Sequence, residues 1–243
     1  MKKNILTGLA ALTLLDVSAE LASAQNWNGP YAGVHLGYSS GTADLTAPGF
    51  NFFAPRDPAG RFTSAARGET YNPEGPLGGG HIGYNFLVHP NWLVGVEADI
   101  TAASASETVA ANFLSTDGVA AVRTSKVHLG TQGTVRGRLG YAAGPWLVYA
   151  TGGVAFVEFK WSDTILIQPP QLTTFAAAAS KTLTGYAVGG GAERVVNANL
   201  SVRVQYLYLD FGSETVPLAI TSQPGQISNI SAHQVTLGGS FRF

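Results

Sequence analysis

The last nine residues, Val235 to Phe243, alternate in character. Val235, Leu237, Gly239, Phe241 and Phe243 are apolar or small, while Thr236, Ser240 and Arg242 between them are polar and only Gly238 departs from the rule. A period of two belongs to a strand, which sends successive side chains to opposite faces. Here the apolar face closes on an aromatic, as a lipid-facing strand does where hydrocarbon meets water. A chain that repeats this pattern is restricted to sheets with one greasy and one polar face.

Seven further segments carry the same alternation. They are 31–39, 79–88, 91–101, 128–141, 146–159, 184–193 and 200–209. In the first, Ala32, Val34, Leu36 and Tyr38 oppose Gly33, His35 and Gly37; in the third, Trp92, Val94, Val96, Ala98 and Ile100 oppose Gly95, Glu97 and Asp99. In the fourth, Leu129, Val135, Leu139 and Tyr141 are expected on the face opposite Gln132, Thr134, Arg136 and Arg138. The fifth is apolar on both faces, so alternation alone assigns it no orientation. Ten residues tilted near 45° rise roughly 23 Å, close to the apolar band of an outer membrane.

The breaks between segments alternate in length. Short ones fall at 89–90, 142–145 and 194–199, and long ones at 40–78, 102–127, 160–183 and 210–232. Short turns at one end and long loops at the other are the asymmetry of an outer-membrane barrel, with both termini on the short-turn, periplasmic side and the long loops extracellular. Phe86, Trp92, Tyr141, Trp146 and Phe243 lie near the short turns, and Tyr38, Phe156, Phe159 and Tyr208 near the long loops, where aromatic girdles belong. The run Ala176 to Ala179 reads as a loop tract or short helical turn. The expected fold is all-β, an eight-stranded antiparallel up-and-down transmembrane β-barrel.

The N-terminus reads as an export signal: Lys2 and Lys3, an apolar stretch from Ile5 to Leu15, and Ala22-Ser23-Ala24 as cleavage site. The expected division is a signal peptide over 1–24 and a barrel domain over 25–243. Cysteine is absent, so neither disulfides nor thiolate metal sites contribute. No apolar run is long enough for a spanning helix, so any crossing uses strands. Charged residues are 12% of the chain against about 25% in soluble domains. A net charge of −1 lacks the basic footprint of a nucleic-acid binder.

The polar face gathers Glu97, Asp99 and Glu193 with Arg136, Arg138, Arg203 and Arg242, and places Gln205 near them. Charges in a narrow lumen require partners, and counting from the short turns sets Glu97 and Asp99 level with Arg136 and Arg138. A plugged interior is the first expectation and a conducting pore the second. His35 and His81 share that face; imidazole ligates iron, but it also suits a polar lumen. Gly78 to Gly83 fits a dinucleotide fingerprint without the βαβ unit it needs. An enzyme would need a nucleophile, base and acid at one height. Ser104, Ser106 and Glu107 lie far from His128 along the chain, and no such group is found. The first long loop carries Pro48, Pro55, Pro58, Pro73 and Pro76 with Arg56, Arg61 and Arg67, and reads as a mobile solvated loop.

Six stretches carry a family resemblance: Trp27 to Gly33, Gly95 to Ile100, Arg136 to Tyr141, Tyr149 to Ala155, Tyr206-Leu207-Tyr208, and the final Phe243. Together they resemble the small outer-membrane proteins of alphaproteobacteria, the outer-membrane immunogenic or opacity-like group related to the OmpA-type transmembrane domain. Gln205, where the group often carries Glu, and Arg194, where Tyr is common, depart from its pattern. The resemblance implies a non-enzymatic structural barrel that supports the envelope and displays loops. The alternative it carries is a narrow porin or haemin-uptake protein, with haem as the one cofactor in question. Implied partners are outer-membrane lipid and the barrel-assembly machinery, met through a C-terminal strand whose signal residues are Phe241 and Phe243.

Overall fold

A computed structural model describes residues 27–54, 57–64, 66–114, 120–168, 173–219 and 223–243. The expected signal peptide lies outside the described residues, as do Pro55 and Arg56. Eight strands build the wall: β1 (Gly29–Ala47), β2 (Glu74–His89), β3 (Trp92–Ala103), β4 (Ala120–Ala143), β5 (Trp146–Ile167), β6 (Thr173–Val195), β7 (Leu200–Asp210) and β8 (Gly225–Arg242). Each pairs antiparallel with the next, and β8 returns to β1 with Tyr31 opposite Arg242 and Leu36 opposite Leu237. Closure joins the backbone groups of first and last strand, which is what hydrocarbon demands of any sheet that crosses it.

Side chains sort as the alternation requires in the half of the wall nearer the short turns. Val34, Leu36, Ile82, Val96, Ile100, Val135, Val148, Val204 and Leu237 face outward and are exposed, while His35, His81, Glu97, Arg136, Glu193 and Arg203 are buried inside. Phe86, Trp92, Tyr141, Trp146 and Phe243 form the outward aromatic ring at the short-turn end. Trp92 and Tyr141 pack edge-to-face across a rung at 5.3 Å. On β5 the structure supplies the missing orientation: Leu147, Tyr149 and Thr151 point in, and Trp146, Val148 and Val154 point out.

The long breaks are not mainly loops. β4, β5 and β6 run on well past the apolar belt, with Val127 opposite Trp161 and Ala178 opposite Ser162. The Ala176–Ala179 run is therefore strand rather than loop or helical turn. The first long break contains a hairpin, Phe50–Ala54 with Asp57–Ser64, and a strand Arg67–Tyr71 that pairs with the far half of β1. After Ser104 the chain continues as Ala105–Leu114 beside β4, and Glu214–Val216 flanks β8.

In this extension the sorting is reversed. Thr124, Lys126, Lys160, Ser180 and Thr182 are exposed on the outside. Leu45, Val127, Leu129, Phe159, Trp161, Ile167, Leu209 and Ile227 are buried inside. Water now surrounds the wall, so the apolar groups gain by turning inward.

On β4 the reversal is made by a bulge. Leu129 pairs with Phe159 and Gln132 with Val157, so Gly130 and Thr131 together oppose Glu158 alone. One extra residue exchanges the faces of everything beyond it. Leu129, expected outward, is 1% exposed for this reason, and Phe159, expected in a girdle, is an interior residue.

Trp161 anchors the reversed section. Its ring meets Tyr71 edge-on at 5.8 Å, and its Nε1–H donates to the Pro217 carbonyl at 2.9 Å. Trp161→Ala empties a fully buried site and strands that carbonyl, with an expected cost of about 3–5 kcal/mol. The urea midpoint for unfolding from lipid vesicles should fall accordingly, while the belt and its folded gel mobility persist. A midpoint equal to the parent's would show that this cluster contributes nothing to stability.

Candidate functional site

Inside the membrane half, Glu97 on β3 is the centre of a network drawn from six strands. Its Oε1 accepts from Arg136 Nη2 at 2.7 Å; its Oε2 accepts from Arg203 Nη1 at 2.5 Å and from the Tyr31 hydroxyl at 2.9 Å. Arg138 stands 3.8 Å from the same carboxylate. Arg136 also donates to Asp99 at 2.7 Å and, through Nε, to Thr134 Oγ1 at 2.8 Å; the Thr134 hydroxyl in turn donates to Asp99. Arg138 donates to Glu193 at 2.7 Å and to the Tyr31 oxygen at 3.0 Å, with its guanidinium 3.8 Å from the Tyr149 ring centre. Glu193 accepts from Ser201 at 2.5 Å.

Glycine makes the room for this network. Arg136 stands opposite Gly153, Arg138 opposite Gly95 and Arg203 opposite Gly238. The aromatic members follow the same rule, Tyr31 facing Gly83 and Tyr149 facing Gly191. A Cβ at Gly83 would lie 2.4 Å from the Tyr31 ring, and one at Gly191 2.7 Å from the Tyr149 oxygen. Part of the glycine content thus has a spatial cause: Arg136, Arg138, Arg203, Tyr31 and Tyr149 each have a glycine opposite on one neighbouring strand.

Of the eight polar residues expected in the lumen, six are joined: Glu97, Asp99, Arg136, Arg138, Glu193 and Arg203. Gln205 and Arg242 are buried but outside the network. Arg242 lies 4.7 Å from the Trp27 ring, and none of its guanidinium nitrogens has a hydrogen-bond acceptor among the described residues. Above the network sits a histidine layer. His35 Nε2 is 2.9 Å from Thr101 Oγ1, His81 Nε2 is 2.9 Å from Ser240 Oγ, and the two Nδ1 atoms are 3.5 Å apart. Among the described residues, no group of three or more His, Cys, Asp or Glu is placed to hold a metal. Phe241 and Phe243 are exposed and pack edge-on at 5.2 Å, with the Phe243 amide bonded to the Pro30 carbonyl at 3.2 Å.

Two features escaped the alternation. Tyr31, Tyr149 and Trp27 complete the lumen, although aromatic residues read as lipid-facing by default. A second ion cluster lies in the reversed section: Arg123 pairs with Asp163 at 2.6 Å and Glu69 at 3.0 Å, and Glu69 also pairs with Arg67 at 3.1 Å. The Ala219 amide donates to Asp163 at 3.0 Å, so this cluster fastens the connection before β8 to the wall. Its signal was the alternation of Arg123, Ser125 and Val127, which continues into what reads as loop.

His128 proves not to be remote from the serines, because Ser106 stands directly opposite it. The two side chains share no hydrogen bond among the described residues, and Glu107 accepts instead from the Asn72 amide. Glu158, the nearest carboxylate to His128 across the bulge, is paired with Lys160 at 2.8 Å.

Among the described residues Glu97 is the only carboxylate within ion-pair distance of Arg203. Glu97→Gln therefore leaves a buried guanidinium uncompensated and is expected to cost about 3–5 kcal/mol. Replacing Arg203 by Met in the same chain should recover most of the loss, as removing both members of a buried pair often does. Urea unfolding of the two single variants and the double variant measures the coupling; purely additive losses would contradict it.

Residues 7–243 match the family described as outer membrane protein beta-barrel domain. The 31 kDa outer-membrane immunogenic protein of Brucella melitensis is 28% identical over 257 residues, covering 100% of both chains. The 22 kDa outer membrane protein of Rhizobium leguminosarum bv. viciae is 38% identical over 89 residues, 37% of each chain. Among solved structures, the outer membrane protease OmpT of Escherichia coli superposes with a TM-score of 0.48 at 12% identity, covering 88% of this chain and 97% of that one. With its closed antiparallel ring and a family match over most of its length, the chain belongs to the outer membrane protein beta-barrel domain family, and its homologues include the outer-membrane immunogenic proteins.

Proposed function

We propose that the protein is a structural, non-catalytic barrel with a closed lumen, which braces the outer membrane and presents a raised β-rim outside the cell. The observation that supports this best is obstruction at three successive levels. Trp27, Leu93, Leu147 and Tyr149 cluster at the short-turn end, the Glu97 network fills the middle, and Leu129, Phe159 and Trp161 fill the reversed section. In this reading the short turns and both chain termini face the periplasm, and the extended strands stand outside. Assembly proceeds through the C-terminal strand, with Phe241 and Phe243 offered to the barrel-assembly machinery. His35 and His81 serve lumen packing, and the barrel works without haem or another cofactor.

The second reading, a narrow porin, draws on Arg242, Gln205 and Trp27, whose side-chain N–H groups lack acceptors among the described residues. Such donors mark positions for water, and a continuous file of water is what a narrow conductor needs. Planar-bilayer recording from purified protein separates the two readings. No steady conductance is expected; reproducible unitary openings would favour the pore.

Orientation is tested apart from conductance. Because the sequence has no cysteine, a single introduced thiol reports its own side of the membrane. Gln168→Cys, beyond the end of β5, should react with a membrane-impermeant maleimide on intact cells, and Ala198→Cys, in the turn between β6 and β7, should react only after lysis. The opposite pattern would invert the barrel.

A further inference from the structure

Beyond Lys3 the sequence has three lysines, Lys126, Lys160 and Lys181. All three lie on β4, β5 and β6 past the apolar belt, whereas the cations buried in the lumen are arginines. The two cations differ in kind: guanidinium is a planar fork suited to carboxylates in fixed geometry, and ammonium is a compact, strongly hydrated point charge on a flexible stem. Lys181 is held by Glu214 at 2.9 Å. Lys126 and Lys160 point outward from neighbouring strands, with His128 directly opposite Lys160 and Ser162 opposite Lys126. Ser180 on β6 closes the row beside Lys160. Together they line an open groove of about 570 Å³ on the outer face.

Height defines the occupant. The last outward apolar residues below the groove are Val135, Phe156 and Tyr186. Lys160 is four residues beyond Phe156, roughly 13 Å of strand and about 9 Å of rise at the usual tilt. That is headgroup level, where lysine stems lie along the apolar surface and the charge reaches polar surroundings. The negative groups at that depth are lipid phosphates. Lys126 has no carboxylate within ion-pair distance among the described residues, and the pairing of Lys160 with Glu158 leaves that ammonium half exposed. Burial, and then the charges of Lys160 and Lys126, hold His128 below its usual pKa, so the groove carries a positive field that an anion would relieve.

We propose that Lys126, His128 and Lys160 form a docking site for the phosphorylated head group of an outer-leaflet lipid. The phosphate sits between the two ammoniums, and Ser162 and Ser180 supply hydroxyl donors at its margin. A phosphate monoester carries about −1.5 to −2 charges near neutrality, enough to compete with Glu158 for Lys160. The site rests on the orientation proposed above, since it requires the extended strands to meet the outer leaflet.

The test uses the full chain refolded in detergent, its folded state checked by heat-modifiable gel mobility, and native mass spectrometry with diphosphorylated lipid A as probe. The parent should retain the lipid, and the Lys126→Gln/Lys160→Gln pair should retain roughly tenfold less. Lys181→Gln, whose ammonium is already paired, should stay within about twofold of the parent. Dephosphorylated lipid A should bind the parent no better than the intact lipid binds the double variant. Equal retention by the double variant overturns the proposal. Displacement of the lipid by inorganic phosphate alone also overturns it, assigning the groove to a soluble anion. Detergent micelles carry no sidedness, so failure here is distinguishable from the inverted labelling that would refute the orientation.

Discussion

A strand that leaves hydrocarbon for water must exchange the roles of its two faces, and this exchange governs the whole molecule. Below the change, apolar groups face lipid and ions fill the lumen; above it, hydroxyls and lysines face water and aliphatic and aromatic groups fill the lumen. The backbone ladder runs through both regimes without interruption on β5 and β6. Only the side-chain sorting changes, and on β4 a single inserted residue is enough to change it. The membrane half and its extension are thus one continuous wall in two solvents.

The same economy of space appears in the lumen. Eight strands enclose little more than side chains. A large cation fits where one of its two neighbouring strands presents no side chain, and Arg136, Arg138 and Arg203 each face glycine on one side. Buried charge then becomes tolerable because every carboxylate in the network accepts more than one donor.

Much of the membrane half was legible in the sequence, because lipid enforces alternation rung by rung. The strands around Val34, Ile82, Val96 and Leu237, and the inward set of Glu97, Asp99, Arg136 and Arg203, follow from period two alone. The extension was not legible for the converse reason. Water tolerates threonine, serine and alanine on an outer face, so Ala176–Ala179 gives no lipid signal although it is fully paired strand. The bulge was also hidden, since Gly130-Thr131 resembles any other inward–outward pair, and so Leu129 was assigned to the wrong environment; Phe159 was misplaced for a different reason, because β5 is apolar on both faces. Glycine opposite arginine was visible in composition but not in register, which only the folded ring supplies.

Glu97 on β3 and Arg203 on β7 belong to walls that stand diametrically across the ring, and they meet at 2.5 Å. Tyr31 brings β1 to the same carboxylate, and Arg136 brings β4. Such a spoke fixes the diameter of the cylinder in the direction where a thin-walled tube would otherwise flatten most easily. Lateral pressure in the bilayer would therefore be borne as compression along a charged strut rather than as bending of the sheet, and the cross-section should stay round as the surrounding lipid thickens or thins.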